Sequence, residues 1–196
     1  SGKVANVVGG SWKGIAYLRA LPLSVANPNT PAQQTQRGAF AHCLVVAQQC
    51  LGNIIRPFWN QYAQKMSGFN LFQRVNIKAF DDGGLLTPSD FTIGFGDLPS
   101  VVAVSGNYNS GTGQLPLTWS DNSGEGTAAK SDKMFYAAYN TNSDQWFFGV
   151  TTDERGDLGG SVELQGSSPG DVVELWIAFV SNSGKTGRSY YFSAYL

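Results

Sequence analysis

One histidine and two cysteines are the first groups to test for chemistry. His42 and Cys43 are adjacent in the run "FAHCLVVAQQC", and Cys50 follows seven residues after Cys43. A thiol nucleophile needs an imidazole within hydrogen-bond reach to take its proton. On a helix, neighbours i and i+1 point about 100° apart, so this pair does not face itself as a catalytic couple. Two cysteines seven residues apart on one helix stand about 10.5 Å apart at about 1.5 Å per residue. That exceeds the ~7 Å reach of a disulfide. Both read as small buried hydrophobes. One His with Cys at i+1 and i+8 matches no metal-ligand spacing. "GGSWKG" and "SGTGQ" lack the strand-to-helix setting and the Lys-Ser/Thr of a phosphate loop.

The carboxylates are the next candidates, since glycoside hydrolysis needs only a pair of them. Asp81-Asp82, Asp153-Glu154 and Asp157 all fall in turn clusters, where acids serve as turn formers or Asx caps. An RGD tripeptide, Arg155-Gly156-Asp157, falls in an expected hairpin loop. Integrin-binding tripeptides sit in such loops, but Gly-Asp is also ordinary turn chemistry, and the turn is the commoner reading. These residues nominate no catalytic, cofactor-binding or metal-binding side chain. The expectation is a protein that is not an enzyme and needs no cofactor.

The elements that would position these groups fall into two halves. Residues 3–25, "KVANVVGGSWKGIAYLRALPLSV", are β-branched and aromatic and are broken by Gly9-Gly10, which predicts an extended arm or hairpin. Asn27-Pro28-Asn29 predicts a turn, with Thr30 as N-cap and Pro31 at the first helical position. The helix that follows carries Phe40, Cys43, Leu44, Ala47 and Leu51 at helical spacing, and Gly52-Asn53 is its expected end. A second helix is expected from near Pro57, with Ile55, Trp59, Tyr62, Ala63 and Met66 on one face. Gly68 is expected to break it before a short helical "FNLFQRVN". Gly38 lies inside the first helix at a cost of about 1 kcal/mol relative to Ala. It marks a close backbone approach, by the arm or by another copy.

After "DDGG" at 81–84 the period changes to two. "DFTIGFG", "SVVAVSGNY", "QLPLTWS", "DKMFYAAYN", "QWFFGVTT", "GSVELQ", "DVVELWIAFVS" and "SYYFSAYL" are the expected strands. Short strands at turn intervals of about 8–12 residues predict an antiparallel immunoglobulin-like β-sandwich, with Trp119, Trp146 and Trp176 as core candidates. The fold class is therefore α+β. Residues 1–80 form a basic arm and helical region, and residues 81–196 an acidic sandwich domain.

Charge supports the same division. Residues 1–80 hold eight Lys and Arg and no acid, whereas residues 81–196 hold fourteen acids and five bases, so the halves stand at +8 and −9. Such a split is satisfied within one molecule, or between the basic half of one copy and the acidic half of the next. Nucleic acid ranks last, because the bases are spread without a run. Only 14% of residues are charged, against about 25% in ordinary soluble domains. "SGKVANVVGG" lacks the apolar core of a secretory signal, and no apolar run approaches the ~18 residues of a membrane span.

The order "GKVANVVGGSWKGI", "NPNTPAQQTQR", "SGFNLF" and "LTWSDNSGEGTAAKSDKMFYAAYN" resembles an uncharacterised family common in Bacteroidota. The cluster "NPxTPAQQxxRxxF … W … GxNLF" is also similar to segments of phage structural proteins. The resemblance supplies no catalytic residue and implies a small, non-catalytic, assembling protein. The expected function is a self-assembling structural protein, a phage virion component or cell-surface fibre subunit, with copies of itself and other virion or surface proteins as partners. A virion or the extracellular surface is the expected location. The rival is a carbohydrate- or cell-surface-binding module that takes polysaccharide on sandwich aromatics.

Overall fold

The computed structural model describes residues 3, 4, 6–21, 24 and 28–196. The chain divides into two compact units, Ser1–Gln34 and Thr35–Leu196.

The first unit holds an antiparallel sheet of β1 (Lys3–Val4), β2 (Val7–Trp12) and β3 (Ile15–Ala20), in that order. Its register pairs Trp12 with Ile15, so the turn is Lys13-Gly14, with φ of 50° and 83°. Two central residues at positive φ make the two-residue hairpin turn that matches strand twist. The expected break at Gly9-Gly10 is therefore not the turn: both glycines lie inside β2. Gly10 pairs with Tyr17, and a Cβ there would meet the Tyr17 ring at 2.9 Å. An aromatic ring covers the bare backbone of its cross-strand partner. The turn expected at Asn27–Asn29 falls partly outside the described residues.

Thr30 does cap the helix. Its Oγ1 accepts the Gln33 backbone N–H at 3.4 Å, and the Gln33 side chain accepts the Thr30 N–H at 3.3 Å. This reciprocal pair is a capping box, and α1 runs from Pro31 to Gln49.

In the second unit α1 buries Ala39, Cys43, Val46 and Ala47. Phe40, expected in the stripe, is 47% exposed, so the buried face is rotated by about one residue. Gly52-Asn53 does not end the helical path, and Pro57 does not begin a new one. Both lie in a π-helical segment, Leu51–Trp59, that follows a sharp bend: the path turns 90° between α1 and Leu51–Tyr62. The Cys50 carbonyl accepts from both Ile54 and Ile55, at 2.9 and 3.1 Å, the second an i→i+5 bond. Pro57 has no N–H and its ring crowds the carbonyl of the preceding turn, so the wider π spacing suits it.

Gly68 opens a helix rather than breaking one. Ser67 Oγ accepts the Asn70 N–H at 3.2 Å, capping α2 (Gly68–Asn76). A Cβ at Gly68 would meet Asn60 Oδ1 at 2.6 Å. Close approach fixes the glycine. A small hairpin of β4 (Phe80–Asp81) and β5 (Gly84–Leu85) follows.

Seven further strands form two antiparallel sheets. They are β6 (Ser105–Gly106), β7 (Gln114–Thr118), β8 (Lys133–Asn140), β9 (Gln145–Glu154), β10 (Gly159–Glu163), β11 (Val172–Val180) and β12 (Tyr190–Tyr195). One sheet has the order β10-β7-β6, the other β12-β11-β8-β9. Leu115 and Leu117 of β7 meet Met134, Tyr136, Leu175 and Ile177 in a core between the sheets. β8 and β11 are buried on both faces, because Phe135, Ala137, Trp176 and Ala178 point the other way into a second core. That core is shared with α1, the π segment and α2. The expected boundary at 81–84 is thus a change of layer inside one packed unit, not a gap between two.

Two expected strands do not form. Along "DFTIGFG" the backbone is taken by side chains instead of a ladder. Asn76 bonds both the N–H and C=O of Thr92, at 2.8 and 3.0 Å, and Trp59 Nε1 donates to the Ile93 carbonyl at 2.8 Å. "SVVAVSGNY" yields only the two residues of β6, with Ala103 at φ 53° interrupting extension.

Candidate functional site

His42 is exposed, and its Nε2 lies 3.3 Å from the Asp82 carbonyl. Cys43, next to it in sequence, is fully buried, so the thiol and the imidazole lie on different faces of α1. Burial pushes the Cys43 thiol up to about 11 and raises Cys50 as well. A raised thiol stays protonated and is a poor nucleophile. Both cysteines are free.

The carboxylates are structural in their placement. Asp81 Oδ1 accepts the Gly83 N–H at 2.7 Å, closing the β4–β5 turn. Asp153 Oδ2 accepts from Ser161 at 3.1 Å, and Asp157 Oδ2 from Glu154 at 2.8 Å. Arg155, the first residue of the RGD, has a side chain that is 0% exposed. Its Nε donates to Asp132 Oδ2 at 3.2 Å, Nη1 to Asn122 at 2.5 Å, and Nη2 to the Pro99 carbonyl at 2.8 Å. The guanidinium also lies 4.1 Å from the centre of the Phe179 ring. An integrin cannot reach that arginine; the tripeptide is a turn whose Arg pins the sandwich. Among the described residues, no three or more His, Cys, Asp or Glu side chains are grouped to hold a metal ion. No single helix among them is long and apolar enough to cross a membrane.

Trp119 faces the intersheet core as expected, but Trp146 and Trp176 do not. They lie on the opposite face of the four-stranded sheet. Strand alternation places Trp146 and Phe148 together there, with Phe147 on the intersheet face. Trp146 stacks on its cross-strand partner Tyr139, ring centres 4.7 Å apart at 29°, and stacks parallel to Phe148, with planes 2° apart and ring centres 5.7 Å apart. The β8–β9 turn holds this row: Asn140 Oδ1 accepts from Asn142 and Ser143 at 2.9 and 3.1 Å. Tyr139 Oη donates to Asp144 Oδ1 at 2.8 Å. Burial, then the bond to Asp144 and its charge, push the Tyr139 phenol up to about 12.

Above this row lies a cleft of about 160 Å³ between α1, the β4–β5 hairpin and the β8–β9 hairpin. His42 and Gln49 of α1, Phe80 and Leu85 of the small hairpin, and Tyr139, Asp144 and Trp146 line it. A shallower depression shares Gln49, Asp144 and Trp146 and continues to Asn53 and Phe148. The cross-strand pairing of Tyr139 with Trp146 was the signal for it; placing Trp146 in the intersheet core hides that signal.

The hairpin unit presents a different surface. Trp12, Ile15 and Leu18 are 69%, 70% and 78% exposed, and Val7 and Tyr17 are exposed as well. By register, Trp12, Ile15 and Tyr17 share one face and Val7 and Leu18 the other. The sheet is apolar on both sides, and its own unit contains no second layer among the described residues.

The chain is thus a protein of mixed helices and antiparallel sheets, with a β-sandwich covered on one face by helices. It belongs to the family of unknown function DUF6266, whose model matches residues 1–193. Solved structures similar to part of it are fibronectin type III domains. One, from human collagen XX, is 11% identical with a TM-score of 0.37, covering 51% of this chain and 93% of that one. The third such domain of human KIAA0343 protein is 13% identical with a TM-score of 0.40, covering 51% and 82%. The FN1–FN3 domains of chicken CNTN1 are 16% identical with a TM-score of 0.38, covering 51% and 34%. No curated protein matches in sequence.

Proposed function

We propose that this is a non-catalytic structural protein whose copies join through the N-terminal hairpin sheet. One observation carries the reading: a sheet of this kind exposes large apolar side chains on both faces. Isolated two- or three-stranded sheets need a hydrophobic partner to be stable in water. Contiguous apolar exposure marks an interaction surface. The free side of β3 is an edge that a neighbour's strand can extend.

The occupant is a second copy of this chain. Lys13 and Arg19 make the hairpin basic, and residues 81–196 carry a net −9 from fourteen acids and five bases. Unlike surfaces meeting between successive copies give rings or filaments rather than closed dimers. A virion component or surface-fibre subunit is the setting such growth suits. Complementary charge steers that contact more than it strengthens it.

The test is light scattering of the intact chain beside a Trp12→Glu/Leu18→Glu double variant. Assembly of the intact chain, slowed by added salt and abolished in the variant, is expected. Equal assembly in both would place the contact elsewhere and overturn the proposal.

A further inference from the structure

We propose that the free edge of β9 receives β3 of a second copy as an added antiparallel strand, with Leu18 opposite Phe148. This rests on the assembly reading above and names the surface that takes the hairpin.

Backbone accounting is the first reason. The Thr141 N–H donates to the Val172 carbonyl at 2.9 Å, which sets the hydrogen-bonded pairs between β8 and β11. By alternation Tyr136, Ala138 and Asn140 bond β9, at Gly149, Phe147 and Gln145. The backbone groups of Trp146, Phe148 and Val150 therefore point away from the sheet, and nothing among the described residues bonds them. The edge of β10 differs: its outward N–H groups, Ser161 and Glu163, donate to Asp153 Oδ2 at 3.1 Å and to the Tyr136 hydroxyl at 3.2 Å. On the hairpin, the Leu21 N–H donates to the Asn6 carbonyl at 2.7 Å, so Ile15, Tyr17 and Arg19 bond β2. Ala16, Leu18 and Ala20 are left facing outward. The two edges thus offer matching alternate residues.

Shape is the second reason. An added strand sends successive side chains to opposite faces of the sheet, and β9 has a depression on each. On the helix side Gln49, Asn53, Trp146 and Phe148 line one of about 440 Å³. On the other, Tyr136, Gly149, Asp153 and Glu163 line one of about 360 Å³. The Tyr136 ring covers Gly149 so closely that a Cβ there would collide with it. In this register Leu18, 78% exposed on its own hairpin, enters the helix side, and Tyr17 comes over Gly149. Main-chain bonds with pockets for alternate side chains are what strand addition uses.

Charge is the third. The same register sets Lys13 opposite Asp153 and carries Arg19 toward the Asp144 end of β9. The other end of this sheet, β12, has Glu174 across from it but is entered past Lys185 and Arg188, which repel a basic hairpin.

The experiment uses the full chain in sedimentation velocity. Val150→Pro removes an outward N–H and spares the β8–β9 ladder, and should weaken association at least about tenfold. Ser193→Pro does the same to β12 and should leave association unchanged. A covalent trap covers misfolding of the proline variants. Chains carrying Ala16→Cys and Val150→Cys are mixed and mildly oxidised; a hydrogen-bonded pair stands about 5.5 Å apart at Cα, within disulfide reach. A dimer joining one of each is expected, well in excess of that formed by Ala16→Cys with Ser193→Cys. If the intact chain assembles but the β12 pair links as well or better, or Val150→Pro assembles normally, the β9 edge is not the receptor and only this inference falls. If the intact chain never associates, the assembly reading falls and takes this one with it.

Discussion

Replacing Arg155 by Ala should cost more than any other single surface-loop change. Both members of the ion pair are buried, the Arg155 and Asp132 side chains being 0% and 1% exposed. The substitution removes three hydrogen bonds from the guanidinium and its packing on Phe179. Asp132 is then left with one donor, the Ala129 N–H at 2.9 Å on Oδ2, and its Oδ1 has no partner even in the intact protein. Breaking a buried pair by removing one partner costs about 3–5 kcal/mol. For a chain of this length each kcal/mol moves the melting temperature by about 2–4 °C, so a fall of about 6–20 °C is expected in calorimetry. Arg155→Lys should recover little, because one ammonium cannot replace a planar fork that reaches three acceptors. Adding Asp132→Asn to Arg155→Ala should restore part of the loss, since the stranded charge disappears. A melting temperature within about 2 °C of the parent for Arg155→Ala would refute the buried network and reopen the RGD as an accessible motif.

Gly38→Ala tests packing against propensity: Ala gains about 1 kcal/mol as a helix former, but its Cβ would meet the Asp82 backbone at 2.5 Å. A net loss of about 1–3 kcal/mol in urea unfolding is expected, and a gain would mean the hairpin moves aside freely. Thr30→Ala should lower stability by about 1 kcal/mol through loss of the capping box, read as a lower urea midpoint; no change would remove Thr30 as the cap. The Cys43 thiol, raised from 9.0 to about 11 by burial, keeps its proton in the fold while the unfolded thiol ionises. Its stabilisation is whole below pH 9 and lost as pH rises toward 11. The urea midpoint should therefore fall across that range, and less so in Cys43→Ala.

Period-two alternation and turn chemistry made β7 to β12 legible, since those strands alternate or run apolar between Gly/Asn/Ser clusters. Local propensity could not show that β8 and β11 are covered twice. A continuous apolar run such as "VVELWIAFV" fits burial on both faces but does not say what covers them. "DFTIGFG" reads as a strand because its residues suit one. Asn76, Trp59 and Ser189 take its backbone groups from distant positions, which no local pattern reveals. Gly38 and Gly68 illustrate the same point. Each was readable as an exceptional glycine, yet the partners, Asp82 and Asn60, are set by tertiary approach. The aromatic cleft was hidden for a related reason. Its residues come from α1, a two-residue-strand hairpin and the β8–β9 turn, which meet only once the helices cover the sheet.

The mass distribution of the intact 21.0 kDa chain, followed by sedimentation velocity over a wide range of protein concentration, tests assembly most directly. Species at multiples of that mass that grow with concentration and shrink as salt is raised are predicted. A single 21.0 kDa species at every concentration would contradict it, and the exposed hairpin would then need a partner other than its own copies.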